Sequence, residues 1–64
     1  MFKYDLGQLV YYLKDNKVRY GKITTRIKYE IYEYNKYIIA NCIELFEDEI
    51  FPSKEELAAH ILSE

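Results

Sequence analysis

Cysteine and histidine are almost missing from this chain, with Cys42 and His60 its sole members of each kind. One thiol excludes an intrachain disulfide, and one thiol with one distant imidazole is too small a donor set for a zinc site. No apolar run approaches the twenty or so residues that a membrane-crossing helix needs. The opening MFKYDLGQLV lacks the apolar stretch and small-residue cleavage site of a secretory leader. The expectation is a soluble protein of a reducing cytoplasm, with no membrane partner. Repeats and low-complexity linkers are also lacking, so 1–64 reads as one domain.

What the chain does have is aromatic rings: eight tyrosines and three phenylalanines among 64 residues. A domain this short sits near the lower limit for folding without disulfides or metal, and large rings supply more buried area per residue than aliphatic side chains. The tyrosines are therefore read first as core builders. Charge is unevenly spread. Residues 1–28 carry seven Lys and Arg against Asp5 and Asp15, a balance of +5, and residues 29–64 carry Lys36 and Lys54 against nine Asp and Glu, a balance of −7. Such a split polarises the molecule if the two halves lie on different faces.

Periodicity predicts a mainly β fold. LGQLVYYL at 6–13 is a β-rich run, and KDNK at 14–17 supplies the Asp and Asn of a tight hairpin turn. From residue 22 to 31 the alternation puts Ile23, Thr25, Ile27, Tyr29 and Ile31 on one face, with Lys22, Thr24, Arg26, Lys28 and Glu30 on the other. Ile23, Ile27 and Ile31 are expected to be buried opposite Val10 and Tyr12. By the same parity Tyr32 and Tyr34 fall on the polar face, unless a bend near residues 30–33 turns them inward. Asn35 and Lys36 form the next turn candidate, KYIIANC at 36–42 a returning strand, and IELF follows at 43–46. In FPSKEEL, Ser53 and Glu56 make an S-x-x-E capping box, so a short helix is expected over about 53–62, with Leu57, Ala58, Ile61 and Leu62 on one face and Phe51 or Pro52 stapled against Leu57.

Taken together, LGQLVYY at 6–12, the turn with VRYGKI at 18–23, and LFEDEIFPSKEEL at 45–57 resemble the small Src-homology-3-like or Tudor-like barrel proteins of bacteria and phages, most of which have no assigned function. The resemblance implies a small five-stranded, strongly bent antiparallel barrel with a short C-terminal helix. It also implies loops or a sheet edge that bind another chain, and it brings no catalytic residue.

The candidate sites follow from residue chemistry. Glu44, Glu47, Asp48 and Glu49 lack the alternate spacing and Gly of a calcium loop, and acidic residues ahead of a helix are favoured by its dipole. Cys42, His60, Ser53 and Ser63 have no orienting carboxylate or oxyanion signature around them. Ser53 is explained as a cap, Cys42 as a small buried hydrophobe and His60 as the margin of the helix. Catalytic residues, metal ligands and cofactors are all expected to be absent. Lys22, Arg26 and Lys28, gathered by parity, with Tyr32 and Tyr34 near them, are the candidate binding residues, since basic side chains track phosphates and rings stack on bases. A solvated strand face has the same composition. The leading expectation is a non-enzymatic binding module, a protein-interaction adaptor or small regulator of phage or mobile-element type. Its partner would be another protein or a second copy. The alternative is nucleic-acid or nucleotide binding through the basic outer face of the second strand.

Overall fold

The computed structural model describes residues 2–29, 31 and 34–62. Four strands, β1 (Leu9–Lys14), β2 (Lys17–Lys28), β3 (Asn35–Ile39) and β4 (Ile43–Phe46), form one antiparallel sheet in chain order. The sheet curls into a half-barrel and is followed by a 3-10 turn at Glu47–Glu49 and a helix, α1 (Lys54–Leu62).

The first hairpin closes as KDNK requires. Asp15 and Asn16 take φ of 54° and 62° between the paired Lys14 and Lys17, the left-handed pair of a two-residue turn whose twist matches that of the strands it joins. β2 is long because it serves two partners. Its first half pairs with β1 and its second with β3. At the changeover the Ile23 N–H donates to Gln8, its carbonyl accepts from Gly7, and the Lys22 carbonyl accepts from Ala40. The register with β3 slips by one residue between Ile23 and Thr25. An extra residue of this kind bends a strand and increases its twist, which curls the sheet. Gly21 lies at the bend, where a Cβ would stand 2.5 Å from Cγ2 of Ile39.

The inner face of the curl holds Tyr4, Val10, Tyr12, Ile23, Tyr37, Ile39 and Ile50, with Phe2, Ile43 and Leu45 packed against them. The segment before β1 closes this core. Phe2 and Tyr4 set their rings edge-on to Tyr37 at 5.9 and 5.6 Å, the Lys3 and Tyr4 N–H groups donate to the Tyr37 hydroxyl, and the Tyr4 hydroxyl donates to the Ile50 carbonyl. Rings met edge to face add a favourable quadrupole term to the area they bury.

Several expectations change. Val10, Tyr12 and Ile23 are buried as the alternation implies, but Ile27 is half-buried and Ile31 is 88% exposed. The slip after Ile23 reverses the parity of the rest of β2, from Thr25 to Lys28, and Ile31 lies beyond the end of that strand. Asn35 and Lys36 open β3 instead of forming a turn, and β3 stops at Ile39. The turn falls on Ala40 and Asn41, whose φ values are 54° and 60°, and it leaves Cys42 exposed. Of the five strands expected, four are present among the described residues. Beside β1, where a fifth would lie, Phe51 makes a single antiparallel bridge to Tyr11, with both N–H···O bonds at 2.8 Å.

Ser53 caps α1 as its sequence implies, its Oγ accepting from the Glu56 N–H at 3.2 Å. The helix buries less than expected: Leu57 is enclosed, while Ala58, Ile61 and Leu62 are exposed. Among the described residues no helix is long and apolar enough to cross a membrane.

Candidate interaction surface

Pairing across each ladder determines which side chains share a face, because directly opposed residues point the same way. On β1, Val10 and Tyr12 point inward, so Leu9, Tyr11 and Leu13 point outward. Their partners on β2 are Lys22, Tyr20 and Val18. The outer face of the hairpin is thus apolar along both strands, with Leu9, Leu13, Val18 and Tyr20 exposed at 40%, 42%, 49% and 68%. Tyr11 and Tyr20 meet at 6.1 Å between ring centroids. LVYYL is apolar at every position because one parity builds the core and the other builds this surface.

The chain beyond β4 flanks the same face. Phe51, paired with Tyr11, packs its ring 5.1 Å from His60. Leu13, Asp48, Glu49, Phe51, Leu57 and His60 line a shared recess beside α1. Lys14, Lys17, Arg19 and Lys22, accompanied by Asp15 alone, put positive charge along the hairpin.

The slip in β2 divides the candidate basic residues. Lys22 opposes Leu9 on the outer face, whereas Arg26 opposes the buried Tyr37 and Lys28 opposes the buried Asn35. Arg26 is already engaged: its guanidinium lies 4.8 Å above the Phe2 ring, its Nη1 donates to the Tyr4 carbonyl at 3.4 Å, and Asp5 Oδ1 stands at 3.8 Å. Lys28 is exposed. The three do not form one stripe, because the parity that grouped them breaks at Thr24. Tyr32 lies outside the described residues. Tyr34 belongs to a different cluster, with its ring perpendicular to Phe46 at 5.0 Å and 5.9 Å from Tyr29. Lys36, opposite Phe46 across the ladder, sits 4.7 Å above that ring and pairs with Glu44.

Tyr34 and Phe46 also wall an open recess of about 510 Å³ with Lys3, Glu47 and Asp48. Glu47 accepts bonds from the Tyr37 hydroxyl, from Asn35 Nδ2 at 3.0 Å and from the Lys3 N–H at 3.1 Å. Burial alone would push its carboxyl up, but those three donors hold it below the usual carboxylate range. Burial, reinforced by the Glu47 carboxylate, pushes the Tyr37 phenol up to about 12. The arrangement ties the 3-10 turn to the core, and each donor in it already has an acceptor. Glu49 accepts from the Phe46 N–H at 2.9 Å, so three of the four carboxylates singled out in the sequence hold neighbouring groups in place. Among the described residues no group of three His, Cys, Asp or Glu side chains is placed to hold a metal ion.

The hairpin's apolar outer face was missed by the sequence reasoning. Its signal was the alternation of VRYGK, in which Val18 and Tyr20 share a parity with Lys22 and not with Ile23. Comparison with known proteins found no matching family model, no similar curated protein and no similar solved structure.

Proposed function

We propose that this chain is a non-enzymatic protein-binding module, an adaptor or small regulator, built on a Src-homology-3-like plan whose fifth strand is reduced to the Phe51 bridge. The observation that carries this reading is the uncovered apolar face of the first hairpin. Four large apolar side chains stand at least 40% exposed on a domain of 64 residues. Covering their exposed area would add part of the roughly 1.5–3 kcal/mol that full burial of such a side chain provides, and contiguous apolar area rimmed by charge is a feature of protein interfaces. Nucleic-acid binding through β2 is the weaker reading, because Arg26 is folded against Phe2 and Lys22 faces away from it.

The test is capture from a cell lysate on immobilised protein, comparing the native chain with a Leu9→Ser, Tyr20→Ser double variant whose fold is checked by its amide spectrum. A protein retained by the native chain and lost with the variant, then shown to bind when purified, is the expected result. Equal retention on both, or tight binding of a single-stranded oligonucleotide at physiological salt with no protein retained, would overturn the reading.

A further inference from the structure

The backbone of β2 has an open lane beside the hairpin. Tyr11 spends both of its main-chain groups on Phe51, so it makes no ladder bonds to Tyr20, its partner on β2. Alternation along an antiparallel pair then directs the N–H and C=O of Tyr20 and Val18 away from β1. Lys22 confirms the direction, since its carbonyl reaches out on that side to the Ala40 N–H at 3.0 Å. At Ala40 the neighbouring chain leaves the sheet, because β3 ends at Ile39 and the turn begins. From there to the hairpin tip, residues 17–21 run without a strand partner on this side among the described residues. That is a length of about 17 Å, enough for a strand of roughly five residues.

We infer that this lane receives an extended, acidic segment of a partner protein, added as a strand in line with β3. The inference rests on the binding-module reading and specifies the partner's chemistry. Three features select the occupant. The unpaired groups of Val18 and Tyr20 alternate with residues that face β1, which is the pattern a strand can match. The side chains of Val18 and Tyr20 stand exposed beside the lane, so every second residue of the incoming strand meets an apolar neighbour. Lys17, Arg19 and Lys22 line the same stretch with no acidic residue among them. A second copy of the chain, paired about a two-fold axis, would set these cations against each other, and like charges across a ladder destabilise it. Lysines on an edge discourage indiscriminate pairing by this means, while an acidic strand turns the repulsion into attraction.

The experiment uses the whole chain, labelled with ¹⁵N, and a capped heptapeptide of alternating Glu and Val, with a Lys and Val counterpart as control. With nine-tenths of the protein bound, amide exchange at Val18 and Tyr20 should slow roughly tenfold, because only the unbound fraction exchanges freely. The Lys peptide should leave it unchanged. Tyr20→Pro removes a donor that points into the lane and none that bonds to β1, so it should abolish the protection at Val18. N-methylation of Tyr20 in a synthetic chain does the same if the proline variant fails to fold. Unaltered exchange at millimolar Glu peptide, or protection that persists in these variants, overturns the inference. Protection that grows with protein concentration and needs no peptide overturns it in favour of a second copy. Peptide-induced shifts confined to the amides of Leu9 and Leu13 overturn the lane and leave the binding-module reading standing.

Discussion

The two halves of β2 are one continuous strand with two physical situations. Beyond the slip at Thr24, the strand lies against β3, Arg26 is folded over Phe2, and the segment before β1 covers the inner face. Ahead of Gly21, every residue is exposed, and the strand has β1 as its partner. Ile23 is where the halves meet, buried against Ile39 and bonded to Gln8 and Gly7. The contrast shows that a single strand can place its stabilising contacts at one end and leave the other end exposed, with a one-residue slip and a glycine separating them.

The largest expected difference comes from truncating Ile39, which is fully enclosed on the inner face. Ile39→Ala should cost about 2–5 kcal/mol, and Ile27→Ala clearly less, because Ile27 is half-buried on the outer face. Equal shifts in the urea midpoint for the two would show that Ile27 faces the core and that the slip does not reverse its parity. Gly21→Ala comes next at about 1–3 kcal/mol, since its Cβ would overlap the β-branched Ile39 and the core would have to yield. A variant as stable as the native chain would mean that Gly21 and Ile39 are not held so close at the bend.

Ser53→Ala should cost about 1 kcal/mol through loss of the bond to the Glu56 N–H. An unchanged midpoint would show that α1 is held by Leu57 alone. The covered half also carries the pH dependence. Glu47 has a lowered folded-state pKa, so its contribution is present above the unfolded value near 4.5 and is lost as pH falls through the lower folded value. Tyr37 has a raised one, so its contribution is present below pH 10 and is lost as pH climbs from 10 towards 12. Glu47→Gln should flatten the acid limb of urea midpoint against pH, and an unaltered limb would contradict the account. Smallest of all, Val18→Ser should change stability by no more than about 0.5 kcal/mol, the range of surface substitutions away from special features. A loss comparable to that at Ile39 would make the first half of β2 part of the core.

Features set by neighbouring residues were legible in the sequence. Asp15 and Asn16 tolerate the left-handed turn that joins β1 to β2, and Ser53 reaches the N–H three residues on, so both devices declare themselves locally. The slip at Thr24 did not, because two successive threonines suit a regular strand and a bulged one equally. The reversal of Arg26, Ile27 and Lys28 followed from that omission. The bend weighed near residues 30–33 falls on positions 30, 32 and 33, outside the described residues, and the slip that is seen lies earlier, where the strand changes partners. Asn35 misled for a different reason. Its turn preference is overridden by a tertiary bond to Glu47, twelve positions away in sequence. The pairing of Tyr11 with Phe51, which directs the open lane, joins residues forty apart and has no local signature.

Native-state amide exchange of the protein without any ligand tests the division of β2 most directly. The Tyr20 and Val18 N–H groups, directed into an open lane, should exchange at rates near those of an unstructured chain. The Ile23 N–H, bonded to Gln8 at 3.0 Å, should be protected to the limit set by global unfolding. Protection of Val18 and Tyr20 equal to that of Ile23 would contradict the account, because it would mean that the lane is already closed.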